Sequence, residues 1–201
     1  MSDRPNSDRR DMFKAAAMEI ACQRGYEGAT IKRIAEKCGV TVGSIYHYFE
    51  NKEELFREAL QERTFAAVLE KLVDEIEDLP IEEGLFQVAL RFVSVLRERM
   101  NLFSILAAES LHNTEIGSLF SDVSRRNSEL MKSYLDGKIA AGQLAPIHTG
   151  IAVQMFFGHF FNSFLHKERL HMQHLPQIDD EFIHQSIRLI LNGWRQEDIH
   201  A

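Results

Sequence analysis

The chain has 201 residues, 45% of them hydrophobic, with 23 Lys and Arg against 30 Asp and Glu for a formal net charge of −7. That apolar share supplies a core and excludes wholesale disorder, while the length allows one helical domain or a small domain joined to a larger one. Acidity alone would argue against a nucleic-acid partner, yet residues 1–60 balance at ten basic against ten acidic and the whole excess lies in residues 61–201, with thirteen against twenty.

The start, MSDRPNSDRR, is polar and carries no secretory pattern, and no apolar run approaches the ~18 residues a membrane span needs. A cytoplasmic placement without membrane contact is therefore expected. Residues 1–7 read as a loose arm in which Arg4, and Arg9 and Arg10 just beyond it, stand among Asp3, Asp8 and Asp11; a solvated tail and a DNA-touching arm both fit. A first helix is expected from Asp8 to Arg24, with Phe13, Ala16, Ala17, Ile20 and Ala21 as its inward stripe and Gly25 as its stop. The two cysteines, Cys22 and Cys38, fall on helical patterns and read as small buried apolar residues rather than as a disulfide.

Residues 30–52, TIKRIAEKCGVTVGSIYHYFENK, carry two short helical patterns separated by a turn that includes Gly39. Ile31, Ile34, Ala35 and Cys38 recur at helical spacing, so one face packs inward while Lys32, Arg33, Glu36 and Lys37 meet water. Thr30 is placed to cap the first helix, Gly39 to leave it with positive φ, and Thr41 to cap the second. Ala35 is small enough for two helices to cross closely, which is the spacing of a helix-turn-helix. Ile45 points to the shared core, and the opposite face carries Val42, Gly43 and Ser44 followed by Tyr46, His47 and Tyr48. Such a helix fits the roughly 12 Å wide major groove, where its first residues reach base edges; Thr30, Tyr46, Tyr48 and Lys52 suit phosphate oxygens. Asn51 with Glu54 three residues on forms a capping box for the next helix.

These residues resemble the TetR family of ligand-responsive transcriptional regulators, over about 45 positions from AAAMEIACQRGYEGATIKRIAEKCGVTVGSIYHYFENKEEL. On that resemblance Val42, Gly43 and His47 correspond to recognition-helix contacts, with Thr30, Tyr46 and Lys52 as backbone clamps. Ala21 departs from the aromatic residue common at its position. The resemblance further implies a homodimer, operator DNA, a small-molecule effector and repression as the regulatory sign.

Beyond the motif an all-α chain of about nine helices is expected, divided into a DNA-binding domain at 1–51 and a ligand-binding and dimerisation domain at 52–201, with a helix at 52–78 linking the two. Pro80 breaks that helix. Further helices are expected at about 81–99, 102–109 and 115–141, with Gly142 as a stop, then at 150–170 after a cap at Thr149, and at 180–194. The last two are rich in Phe and Ile on more than one face and are expected to form half of a four-helix dimer interface. Phe92, Met100, Phe103, Phe120, Met155 and Phe156 are candidates for an apolar ligand site, and Glu109, His112 and His159 for its polar orienting groups. Ordinary core packing accounts for the same residues.

His166, His171 and His174 lack a spacing that enforces a common metal-facing side, so neither metal nor cofactor is expected. No nucleophile elbow, phosphate loop or metallohydrolase pattern is present, which argues against an enzyme. The expected function is a homodimeric, sequence-specific transcriptional repressor released from a palindromic operator by an apolar or amphipathic small molecule. The alternative keeps the helices and the dimer but assigns them to a protein partner.

Overall fold

The computed structural model describes residues 6–63, 65–99 and 114–194, with some side chains inside those ranges, among them 61–63 and 120, outside the description. The described residues are helical without strands: α1 (Asn6–Gly28), α2 (Ile31–Cys38), α3 (Val42–Tyr46), α4 (Lys52–Arg63), α5 (Phe65–Ile76), α6 (Ile81–Glu98), α7 (Thr114–Ala140), α8 (Thr149–Phe164), a π-helical turn (Leu165–Arg169) and α9 (Asp180–Trp194). The all-α expectation and its count of about nine helices agree closely with this order. The expected helix at about 102–109 lies outside the described residues.

Two compact units divide the chain, one drawn from residues 1–64 and 99–124 and the other from 65–98 and 125–201. The grouping differs from a boundary at 51 because α4 supplies core to the first unit. Leu55, Phe56, Ala59 and Leu60 are buried in one cluster with Phe13, Ala17, Ile20, Ile34, Ile45 and Phe49. Each such fully buried side chain contributes about 1.5–3 kcal/mol of transfer free energy, so α4 cannot be detached from α1–α3 without a large loss. α1 follows its expected stripe, and Gly25, at φ 72° and ψ 172°, interrupts it where the sequence places a stop. Helix continues on both sides of residue 64, which itself lies outside the description.

Arg10 does not act as a loose arm. Its guanidinium pairs with Glu58 of α4 and lies 4.8 Å from the centre of the Phe49 ring, tying the start of α1 to the residue that leaves the helix-turn-helix. Cys22 is exposed rather than buried, since the inward stripe of α1 passes through Ala21. Cys38 is half-buried with its thiol against the Met12 carbonyl at 3.9 Å, and burial pushes that thiol up. Met12 and Cys22 are ten residues apart on α1, about 15 Å at helical rise, so the two thiols stand far beyond disulfide reach.

In the second unit α6 packs against α5, α8 and α9. Buried Lys138 of α7 donates to the carbonyls of Glu77 at 2.5 Å and Leu79 at 2.6 Å, satisfying backbone acceptors released where α5 ends. One turn earlier, Tyr134 is 5% exposed and its hydroxyl has no hydrogen-bond partner among the described residues, with burial raising its pKa to about 12. It is pressed against Gly84, where a β-carbon would overlap the hydroxyl. α8 begins under a cap from His148, whose Nδ1 accepts from the Ile151 N–H at 3.3 Å, and Thr149 is the first helical residue rather than the cap. Gly142 ends the preceding helical run with φ 72°.

A substitution series at this contact separates space from polarity. Gly84→Ala gains about 1 kcal/mol of helix propensity but loses more to overpacking, and is expected to lower stability by about 1–3 kcal/mol in urea denaturation. Tyr134→Phe removes the unpartnered hydroxyl and is expected to raise stability by about 1 kcal/mol. In the Tyr134→Phe background the Gly84→Ala loss is expected to shrink to near zero; equal losses in both backgrounds would show that the hydroxyl is not what Gly84 accommodates.

Candidate nucleic-acid interface

Three caps fix the helix-turn-helix. Thr30 Oγ1 accepts from the Arg33 N–H at 3.3 Å and opens α2. At the other end Gly39 adopts φ 67° and ψ 33°, its N–H bonds to the Glu36 carbonyl at 3.2 Å, and the Val40 N–H reaches the Ala35 carbonyl at 3.0 Å. This pair of bonds is the Schellman closure, which requires a left-handed residue that glycine supplies at little cost. Thr41 Oγ1 then accepts from the Ser44 N–H at 3.3 Å and lies 2.9 Å from the Ser44 hydroxyl. The predicted caps at Thr30, Gly39 and Thr41 are all present.

With those ends fixed, α3 has one inward residue and one outward face. Ile45 is fully buried, while Val42 is 38% and Tyr46 52% exposed. Gly43 and His47 are exposed as well, so positions 42, 43, 46 and 47 form a single outward surface one helical step from each other. Thr30 and Thr41, which cap α2 and α3, are exposed, with Ser44 half-buried in the second cap. Tyr48 differs from Tyr46: it is half-buried, and its ring packs edge-on to Phe13 with centroids 5.5 Å apart and to His47 at 5.3 Å. Tyr46 is instead half exposed on α3.

Lys52 carries a duty the sequence did not reveal. Its ammonium donates to the Tyr26 carbonyl at 2.6 Å, stands 3.7 Å from the centre of the Tyr26 ring and lies 4.0 Å from a Glu27 carboxylate oxygen. The Tyr26 and Phe56 rings meet edge to face at 4.8 Å beneath it. The α4 N-terminus is completed by Asn51 Oδ1, which accepts from the Glu54 N–H at 2.8 Å, and by Glu54, which accepts from the N–H of Glu50 rather than from that of Asn51. The capping box is thus displaced by one residue on its return arm.

A family model described as bacterial regulatory proteins, tetR family, matches residues 14–59, and one described as the C-terminal domain of AefR-like transcriptional repressors matches residues 83–193. The chain belongs to the TetR family. Curated relatives include a transcriptional regulator of the helix-turn-helix type, PksA from Bacillus subtilis (strain 168), 26% identical over 190 residues, covering 85% of this chain and 89% of that protein. A fatty acid metabolism regulator protein from the same organism is 30% identical over 152 residues, covering 71% of this chain and 75% of that protein. The fold is shared with the crystal structure of the transcriptional regulator FadR from Bacillus subtilis in complex with stearoyl-CoA, at TM-score 0.70 and 23% identity over 91% of this chain and 98% of that one.

Of the residues expected to meet a ligand in this TetR-family chain, the structure brings together two. Phe92 and Phe156 are buried, and each packs edge-on to Phe157, at 4.9 Å and 5.4 Å. Met155 is instead 54% exposed and shares a stripe of α8 with Ile151, so it does not line the interior. His159 leaves the interior too: its Nε2 is 2.9 Å from the Ser186 hydroxyl of α9, its ring stacks on Phe182 at 5.6 Å, and burial lowers its pKa. Met100, Phe103, Glu109 and His112 lie outside the described residues, as does the Phe120 side chain. Phe65 and Phe157 pack with Phe92 and were not among the expected residues. Among the described residues no group of three His, Cys, Asp or Glu is placed to hold a metal, and no helix is long and apolar enough to cross a membrane.

Lys52→Met is expected to destabilise the protein by about 2 kcal/mol in thermal or urea unfolding, the sum of a charged hydrogen bond and a shielded cation–π contact. Stability within 0.5 kcal/mol of wild type, on the order of the change expected of a neutral surface site, would show the Tyr26 contacts to be incidental.

Proposed function

We propose that this TetR-family chain is a homodimeric repressor that places α3 of each protomer in the major groove of a palindromic operator and leaves it when an apolar or amphipathic small molecule binds the larger unit. The observation that carries this reading is the outward surface of Val42, Gly43, Tyr46 and His47 on a helix fixed from behind by fully buried Ile45. Side chains at the start of α3 meet base edges, and Thr30, Thr41 and the Tyr46 hydroxyl meet phosphate oxygens. Lys52, spent on Tyr26, contributes by holding α4 to α1, and Tyr48 by packing against Phe13.

Support for the dimer comes from α8 and α9. Ile151 and Met155, 53% and 54% exposed, follow one stripe of α8, and Leu189 of α9 is 74% exposed. Gly158 lies on the same stripe with nothing within 4 Å of where a β-carbon would stand. A helical glycine costs about 0.5–1 kcal/mol relative to alanine, and no close neighbour among the described residues calls for one here, so its use fits the close approach of a second helix from outside. Isologous pairing of two such surfaces would set the recognition helices about 34–36 Å apart or a multiple of that. The apolar effector is supported by the aromatic interior around Phe92 and Phe156 and by the stearoyl-CoA held by the FadR neighbour. Its acceptance between two states of unequal DNA affinity is what would couple it to release.

Selection of bound duplexes from a random library is expected to return a near-palindrome, and binding to it to weaken with salt. Tyr46→Phe is expected to lower affinity for several selected operators alike, by about 1 kcal/mol for a lost phosphate hydrogen bond. Val42→Ala or His47→Ala should instead change which operators are preferred; uniform losses for all three would overturn these roles. Leu189→Glu is expected to yield monomers in analytical ultracentrifugation with operator affinity reduced more than tenfold. A dimer unaffected by that charge would move the interface elsewhere.

A further inference from the structure

Residues Thr149–Phe164 of α8 include no Asp, Glu, Lys or Arg, and their one ionisable side chain is His159. It stands four residues past Met155 and eight past Ile151, on the stripe that also carries Gly158, and it is exposed. Toward its own chain its Nε2 lies 2.9 Å from the Ser186 hydroxyl and its face stacks on Phe182 at 5.6 Å. Ser186 is 6% exposed, and its hydroxyl can accept from Nε2 as readily as donate to it, so this bond survives in either protonation state.

No acid is placed to meet a proton on that ring. On α9, Asp179 accepts from the Phe182 N–H, Glu181 bonds Gln185, His184 stacks on Phe86 of α6, and Arg188 pairs with Glu82 of α6. On α6, Glu83 bonds Gln87, Glu98 accepts from Ser94 and Arg97 pairs with Glu168, while in the turn after α8 Lys167 donates to the Leu175 carbonyl. Among the described residues the hydrogen-bond and ring partners of His159 are Ser186, Phe182 and Phe160; Arg91, His166, Arg169 and Asp180 are not among them. Burial, not a neighbouring charge, is what lowers its pKa.

We propose that His159 ties the pairing of two copies of this chain to proton release, so that acid separates the dimer while each copy stays folded. The proposal rests on the α8 and α9 dimer reading above. In a separate copy, water reaches the exposed part of the ring and solvates an added proton. A second copy laid along Ile151, Met155 and Gly158 removes that water and brings the same uncharged stripe in return, so the protonated ring loses solvation and gains no partner. Its proton is therefore held less tightly in the dimer. Dimer stability is complete above the pKa of the separate copy and is lost as pH falls through it, by up to about 100-fold in Kd per pH unit with two such rings per dimer. An operator that needs both copies is thereby released in acid.

The test is analytical ultracentrifugation of the full-length protein at about pH 7.5 and about pH 5.5, a window that spans imidazole titration. The wild-type dimer Kd is expected to rise at least tenfold in acid with far-ultraviolet circular dichroism unchanged. His159→Gln, whose amide replaces Nε2 toward Ser186 but takes up no proton, is expected to stay within twofold across the window. His148→Asn, which keeps an acceptor for the Ile151 N–H and removes the titratable ring that caps α8, is expected to respond as wild type does. A wild-type Kd that moves less than tenfold, a glutamine variant that keeps the response, an asparagine variant that loses it, or acid that removes the helical signal each overturns the coupling and leaves the dimer reading in place. Should His159→Gln fail to pair at either pH, dilution calorimetry of wild type at about pH 6 in buffers of different ionisation heat decides: uptake of about one to two protons per separating dimer is expected, and none overturns the coupling. A wild type that is monomeric throughout overturns the dimer reading as well.

Discussion

One ammonium joins the two helices on which the DNA-reading unit is built. Lys52 is the first residue of α4, and the carbonyl it bonds belongs to Tyr26, at the end of α1. The Tyr26 and Phe56 rings below it add an apolar floor, so the charge is satisfied by a carbonyl, by π-faces and by a nearby carboxylate while most of its solvent is removed. Such a group is costly to bury unless every partner is in place, which makes the contact all-or-none. α2 and α3 hang between α1 and α4 on turns of two to five residues, and Ile45 finds its buried site only when that frame is closed. The outward face of α3 is held by the core it shares with α4, in which Ile45 is buried with Leu55 and Phe56.

Much of this was legible in the chain. A hydroxyl before each short helix and a glycine between them are local signals, because each acts on backbone groups within five residues of itself. The same locality explains what was illegible. Lys52 reaches a carbonyl 26 residues away, and nothing in its neighbours distinguishes that partner from a phosphate. Arg10 pairs with Glu58, 48 positions further along the chain. His148 displaced Thr149 as a cap because an imidazole acceptor can do what a hydroxyl does one position earlier, a choice set by where the helix starts.

The larger unit was harder to read for a different reason. Phe-rich α8 is apolar on several faces, so periodicity identifies the helix but does not say which ring meets which neighbour. The structure sorts them: Phe156, Phe160 and Phe164 inward, Phe157 toward Phe65 and Phe92, Met155 and Ile151 to the outside. Met155 and Phe156 are chemically alike to a sequence reader and opposite in role, since one step along a helix turns the side chain by about 100°. Charge behaves likewise: a net −7 says little about a surface that contacts DNA through a handful of side chains and helix ends.

The turn at Leu165–Arg169 closes with the Leu170 N–H on the Leu165 carbonyl at 2.9 Å, five residues back, and His171 follows at φ 53°. Arg97 of α6 braces this wide turn through Glu168 and the Ile178 carbonyl. A five-residue step is what an α-helix becomes when it accommodates an inserted residue without unwinding. Because the irregularity sits beyond Phe164, an insertion or deletion there alters only the passage to α9. The phase of α8 upstream is untouched, so the outward stripe and the aromatic interior do not depend on the helical register of this connection.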